Sequence, residues 1–185
     1  MRTSIEATSK AQEIGYPVAL KIASPSILHK TEKGGVALNI KSATALRKAM
    51  KTMDAEAYLL QEMAPGGIEV IVGGKRDREF GPVILFGLGG IFVEVFKDTT
   101  IRVAPIDIGT AREMIDGIKG SALLKEFRGS NPCDTDTLTH VLVNISNLLM
   151  DHPEITSLDI NPLIVLEKGK GCIAVDVKIK VEDKK

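Results

Sequence analysis

The run Ala64-Pro65-Gly66-Gly67 constrains this chain more than any other stretch. Proline fixes φ and removes a backbone donor, and paired glycines weaken either regular structure, so periodic patterns must stop here and restart. A hinge between two lobes is the expectation, with residues 1–63 on one side and 64–185 on the other.

Before the hinge, residues 3–14 place Ile5, Ala7, Ala11 and Ile14 at helical spacing, ended by Gly15 and Pro17. A strand follows over 17–23. Gly35 to Ile40 alternates as a half-buried strand does, Ser42 caps a helix over 43–53, and Tyr58 to Met63 reads as a further strand. Beyond the hinge, Ile68–Gly73 and Pro82–Phe86 form a hairpin around a turn-rich Gly-Gly-Lys-Arg-Asp-Arg-Glu-Phe-Gly segment. Phe92–Val95 and Thr100–Ala104 are strand-like, and 109–118 suggests a short helix. Asp134 caps a longer one, because Leu138, Val141, Leu142, Ile145, Leu148 and Leu149 recur at helical spacing until His152-Pro153 stops it. Two closing strands, 155–166 and 171–180, are joined by Glu-Lys-Gly-Lys-Gly. The expected class is α+β, in two lobes with a cleft suited to a ligand.

Composition excludes several functions. Twenty-four basic residues balance twenty-four acidic ones, so no net field draws nucleic acid or an anionic membrane. Tryptophan is absent and aromatics make up 4%, too few for base-stacking platforms. No apolar run approaches the ~20 residues of a membrane span, and no signal-peptide core follows the start, so a cytoplasmic location is expected. Cys133 and Cys172 lack metal-ligand spacing and are expected as free thiols.

Charge must therefore be met locally. Lys21 lies in the apolar strand Val18-Ala19-Leu20-Lys21-Ile22, where its ammonium needs a partner. The strand runs into a polar loop with His29, Lys30, Lys33, Gly34 and Gly35, whose glycines let the backbone approach a polyphosphate. A snorkelling lysine beside an ordinary loop would give the same pattern. Asp159, Asn161 and Asp176 sit in apolar closing strands, where carboxylates need a cation; hairpin register can put the Asn161 and Asp176 oxygens on one face, which suits Mg²⁺ held with substrate phosphates, or Asp159 and Asn161 serve as turn or cap groups beside Pro162. Glu62 and Glu69 bracket the hinge and could accept from ribose hydroxyls or an adenine amine; a solvated hinge carboxylate is the plainer alternative. Glu94 and Asp98 follow the glycine cluster Gly87-Leu88-Gly89-Gly90 as further ligands or an exposed strand end. His29 has the chemistry of a phosphoryl carrier, against the commoner fate of a solvated loop histidine. His140 and His152 read as structural.

With these residues assembled, the chain resembles the ATP-grasp β subunit of ADP-forming acetyl-CoA synthetases and, more distantly, the succinyl-CoA synthetase β subunit. The resemblance covers nearly the whole chain. It rests on residues 15–22 (GYPVALKI), 24–36 (SPSILHKTEKGGV), 80–95 (FGPVILFGLGGIFVEV), 127–129 (FRG), 151–155 (DHPEI) and 158–163 (LDINPL). It implies a two-lobed ATP-grasp fold that here lacks the family's usual N-terminal helix and strand. It further implies that Lys21 and Lys30 contact ATP or ADP phosphate, that Gln61, Glu62 and Met63 supply hinge contacts to adenine, and that Glu69 lies on the ribose side. Asn161 and Asp176 match magnesium ligands, His29 matches a phosphoryl-relaying loop histidine, and Asp159 matches the acidic position facing the partner's phosphohistidine. A separate CoA-binding α subunit is implied, hence a hetero-oligomer. A different ATP-grasp carboxylate–amine ligase and a nucleotide-binding module without turnover are the competing readings, and the acyl group and the choice of ADP or GDP stay open.

Overall fold

The computed structural model describes residues 3–23, 34–90, 98–125 and 131–182. The chain divides into two compact units, Met1–Met63 and Ala64–Lys185. No helix among the described residues is long and apolar enough to cross a membrane.

In the first unit, α1 (Ser4–Ile14) starts at Thr3, whose hydroxyl accepts from the Glu6 N–H at 3.2 Å, and stops at Gly15, which takes φ +92°. Strands β1 (Val18–Ile22), β2 (Val36–Ile40) and β3 (Tyr58–Glu62) form an antiparallel sheet in the order β2-β1-β3. Between β2 and β3 lies α2 (Ala43–Met53), capped by Ser42 as the sequence predicts. Pairing fixes the faces: Ala19 lies opposite Gln61 and Lys21 opposite Leu59, so these four share one face. The other face, with Val18, Leu20, Ile40 and Tyr58, packs on Ala7, Ala11, Leu46 and Met50 of the helices. Full burial of Leu20 or Leu46 contributes about 2 kcal/mol each, enough to hold the helices to that face.

In the second unit, β4 (Ile68–Asp77), β5 (Gly81–Leu88), β6 (Thr99–Val103), β7 (Ile155–Val165) and β8 (Cys172–Ala174) make one antiparallel sheet ordered β6-β5-β4-β7-β8, and β9 (Val177–Val181) also pairs with β7. Helices α3 (Ile108–Asp116) and α4 (Thr135–Asp151) supply Met114, Leu138, Leu142 and Leu149 to a core with Val70, Val72, Ile84 and Phe86. A 3-10 turn over Lys119–Leu124, which the sequence pattern does not announce, follows α3.

Two strands differ from the sequence pattern. The turn read into Gly73–Gly81 is shorter, because β4 continues through both glycines to Asp77, whose carboxylate then accepts from the N–H groups of Glu79 and Phe80. A Cβ at Gly74 would collide with Leu149, so this glycine admits a helix rather than marking a turn. The last strand is not continuous either. It breaks at Val175-Asp176, between β8 and β9, for a reason that bears on the site below. Phe92–Val95 lies outside the described residues.

Asp134 does more than cap α4. One carboxylate oxygen accepts from Thr137 N–H at 3.0 Å, and the other from Gly169 at 3.0 Å and Gly171 at 2.9 Å, both glycines at φ +80°. These bonds, Thr137 first, hold its pKa below the ordinary 3.8. A depressed carboxylate stabilises the fold above the unfolded pKa and loses that contribution as pH falls through the folded one. Asp134→Ala is therefore expected to lower unfolding stability by roughly 2–4 kcal/mol at pH 7. The gap to wild type should narrow below pH 3.8. Urea melts at both ends of that range read it; a gap independent of pH would remove the carboxylate from the account.

Candidate functional site

Lys21 is the only lysine among the buried polar residues described, at 8% exposure on the central strand of its sheet. It sits opposite Leu59 on β3 and Val36 on β2, on the face away from the helices. Ala19, Leu59 and Gln61 flank it there. Gln61 carries an unusual feature: its side-chain oxygen is buried and has no hydrogen-bond partner. Beside it, the Met63 sulfur accepts from the Asn39 N–H at 3.4 Å, and Met63 donates its own N–H to the Pro17 carbonyl at 3.3 Å. Asn39 holds φ +56°, which lets β2 turn that N–H toward the end of β3. Glu62 is exposed. His29 and Lys30 lie outside the described residues.

In the second unit, Glu69 lines a cavity of about 430 Å³ with Gly67, Ile68, Leu88, Gly89, Gly90 and Leu123. The glycine cluster shapes this space through backbone approach. Gly89 donates its N–H to the Glu69 carbonyl at 2.7 Å, and a Cβ there would lie 2.9 Å from the same backbone. An exposed carboxylate over such a cavity can accept from sugar hydroxyls.

Asp159, Asn161 and Asp176 come together where the closing strands are irregular. Between the pairs Val70–Leu163 and Val72–Ile160, β4 has one residue and β7 has two, Asn161 and Pro162. Pro162 has no N–H for a ladder, so β7 bulges there and its partner strand splits. Asn161 donates its N–H to the Asp176 carbonyl at 3.0 Å, and Val175 donates to the Pro162 carbonyl at 3.1 Å, holding the gap between β8 and β9 against the bulge. Asp159 pairs in register with Lys178. Burial raises its pKa first; Lys178 opposes this, and the charge of Asp176 adds to it. Two carboxylates thus feel one another, with Asn161 bonded through its backbone to Asp176. That is a hard-oxygen set that gains from a cation.

Among the described residues no group of three or more His, Cys, Asp or Glu could hold a metal alone. Two side chains are what a magnesium site shared with phosphate oxygens and water requires, so the set fits Mg²⁺.

One other expectation is corrected. Asp98 is neither a ligand nor an exposed strand end: it is buried, and its two oxygens accept from Lys119 and Gly120 N–H groups at 2.7 Å each. It anchors the 3-10 turn that brings Leu123 to the cavity. His152 bonds Glu154 at 3.0 Å, and His140 is exposed on α4. Both cysteines are free, and burial pushes the Cys172 thiol up to about 11. What the sequence did not reveal is the supporting shell. Arg76 caps the last carbonyls of α4, donating to Leu149 and to His152 at 3.3 Å, across 73 and 76 residues of chain. Only the Gly-Lys-Gly spacing at 169–171, beside a helix-capping aspartate, carried a readable hint of such long-range bonds.

A family model described as an ATP-grasp domain matches residues 1–181. The β subunit of acetate–CoA ligase (ADP-forming) I from Pyrococcus furiosus is 43% identical over 189 residues, covering 96% of this chain and 81% of that protein. The 4-hydroxybutyrate–CoA ligase (ADP-forming) of Nitrosopumilus maritimus is also 43% identical, but this chain spans only 27% of its length. Among solved structures, the dinucleotide forming acetyl-coenzyme A synthetase 1 of Ca. Korarchaeum cryptofilum, in complex with coenzyme A and Mg-AMPPCP and with its phosphohistidine segment pointing towards the nucleotide binding site, superposes with a TM-score of 0.84 at 40% identity. That match covers 97% of this chain and 83% of the other.

Proposed function

Since the chain belongs to the ATP-grasp family, among the β subunits of ADP-forming acetate–CoA ligases, we propose that it is the nucleotide-handling part of an ADP-forming acyl-CoA synthetase. The reaction is acyl-CoA, phosphate and ADP giving the free acid, CoA and ATP. The observation that carries the proposal is the bulge at Asn161-Pro162, which sets Asn161 against Asp176 and beside Asp159.

Each residue has a role in this reading. Lys21 offsets phosphate charge from the first unit. Residues 61–63 receive the base, Glu69 the ribose, and Asn161 and Asp176 hold magnesium through oxygen. When bound, that ion neutralises charge on the nucleotide phosphates, the main electrostatic demand of phosphoryl transfer. Lys30 adds a second phosphate contact, His29 carries the phosphoryl group, and Asp159 faces the phosphohistidine of a CoA-binding partner subunit. Residues 1–63 and 64–185 act as the two lobes of the ATP-grasp domain.

The test is reconstitution. Mixed with a CoA-binding partner subunit, the chain should form ATP from acyl-CoA, phosphate, ADP and Mg²⁺. Asp176→Asn should raise the Mg²⁺ concentration for half-maximal rate by about tenfold, while melting like wild type. Nucleotide binding without ATP formation, with every partner tried, would favour a binding module instead. ATP formation with unchanged Mg²⁺ dependence in the variant would move the metal elsewhere.

A further inference from the structure

We propose that the face of the second unit's sheet turned away from α3 and α4 is where the CoA-binding partner subunit docks, its main chain coming against Gly73 and its acidic groups meeting Lys75 and Lys180. This rests on the synthetase reading above and adds to it a surface and a complementary chemistry.

Register defines the face. Val70, Val72, Ile84, Phe86, Leu158 and Ile160 pack into the core with the helices. The alternate residues point the other way in two rows: Asp159, Gly73, Leu85 and Ile101 run across β7, β4, β5 and β6, with Ser157, Lys75, Val83 and Val103 beside them. Strand β9 extends both rows, setting Lys178 opposite Asp159 and Lys180 opposite Ser157. An outward sheet face left to solvent alternates to polar residues. Here the β5–β6 end is aliphatic instead, with Ile101 54% and Val103 50% exposed, while the other end carries exposed lysines. An apolar patch beside a basic one is the character of an interface.

Gly73 is the observation that calls for an occupant. Its neighbour Gly74 is explained from within, since a side chain there would strike Leu149 of α4. Gly73 is not. A Cβ added to it would come no closer than 3.7 Å to any described atom, and it lies inside β4 without a positive φ. Glycine weakens a strand interior, so what requires it here is another backbone approaching from outside.

The surroundings give that occupant its chemistry. Among the described residues neither Lys75 nor Lys180 enters an ion pair, and Asp77, two residues along from Lys75, uses its carboxylate to accept from the Glu79 and Phe80 N–H groups. These charges are left for acids brought by a partner. A second copy of this face would bring lysines again. A nucleotide would leave the aliphatic end uncovered, whereas a protein surface covers both ends. Asp159 stands next to Gly73 in the same row, so a partner seated here reaches the position proposed to face its phosphohistidine.

The experiment titrates the CoA-binding subunit that supports ATP formation onto the full chain and reads the Kd by calorimetry. It uses wild type, Gly73→Val and the double variant Lys75→Glu/Lys180→Glu, with Mg-ADP binding measured in parallel. Gly73→Val should melt at or above the wild-type temperature, bind Mg-ADP within about twofold of wild type, and bind the partner about 30-fold more weakly. The double charge reversal should cost about tenfold at low salt and less at high salt. Unchanged partner affinity in both variants would overturn the surface and leave the synthetase reading standing. Mg-ADP affinity falling with partner affinity in Gly73→Val would also overturn it, because the nucleotide would then be what approaches the glycine. A clearly lower melting temperature would do the same by returning the glycine to the fold. Self-association of wild type that either variant abolishes, read by sedimentation, would give the face to a second copy. If no partner subunit bound the wild-type chain and formed ATP with it, the docking and the reading beneath it would fall together.

Discussion

Lys21→Met is expected to reduce the rate of ATP formation by roughly 10²–10³-fold, and to weaken Mg-ADP binding, with little change in unfolding stability. The reasoning starts from burial. At 8% exposure on the middle strand of a three-stranded sheet, the ammonium has little water to return to and acts on whatever shares its face. Methionine keeps the length and volume of the lysine stem, so the packing against Leu59 and Val36 survives while the charge is removed. Charge held in place before the reaction is what phosphoryl transfer needs, so the loss should fall mainly on turnover. Calorimetry with Mg-ADP and the reconstituted assay separate the two effects. Lys21→Arg should recover part of the affinity and less of the rate, because a planar fork on a longer stem cannot put its charge where the ammonium was. Full activity in Lys21→Met would assign phosphate neutralisation to other groups.

The second large effect is expected at His29. His29→Ala should abolish ATP formation, a fall of about a thousandfold or more, and should leave Mg-ADP affinity within about twofold. In the proposed relay an imidazole nitrogen takes the phosphoryl group as one N–P bond replaces another. It then yields that group to a β-phosphate oxygen of ADP, so the N–P bond breaks as the O–P bond of ATP forms. Alanine has no atom to carry the group, whereas the proposed nucleotide contacts lie on other residues. A direct acyl-phosphate ligase needs no such carrier, so the variant also separates the synthetase from a carboxylate–amine ligase. An acid-labile, base-stable phosphoryl label on the wild-type chain, absent from His29→Ala, is the matching chemical signature. Undiminished turnover in the variant would end the relay.

Local signals made most of the first unit readable. Thr3, Gly15, Ser42 and the alternation in Val36–Ile40 act within a few residues, so helix ends and strand ends follow from sequence directly. Lys21 was legible because an ionisable group in an apolar run is a conflict visible in one dimension. Its setting was not, since the face shared with Gln61 exists only once β1 and β3 pair. In the second unit the glycine pair Gly73-Gly74 reads as a turn in sequence and proves to be a place where α4 approaches the sheet, because a missing side chain has the same local signature in both cases. Asp98 illustrates the same limit: an acidic residue after a glycine cluster suggests a ligand, and its partners Lys119 and Gly120 lie 21 and 22 residues away.

By itself, then, the sequence determined the α+β class, the break at residues 64–67, most of the elements, and the residue types suited to phosphate and magnesium. Tertiary structure decided which of them meet. The bulge at Asn161-Pro162 splits the last strand and gathers Asn161, Asp176 and Asp159, while β1–β3 pairing puts the unpartnered oxygen of Gln61 on the face of Lys21. The physical reason is range. Caps, turns and periodicity are written within a few residues, whereas register, desolvation and the coupling of two carboxylates depend on segments far apart in the chain.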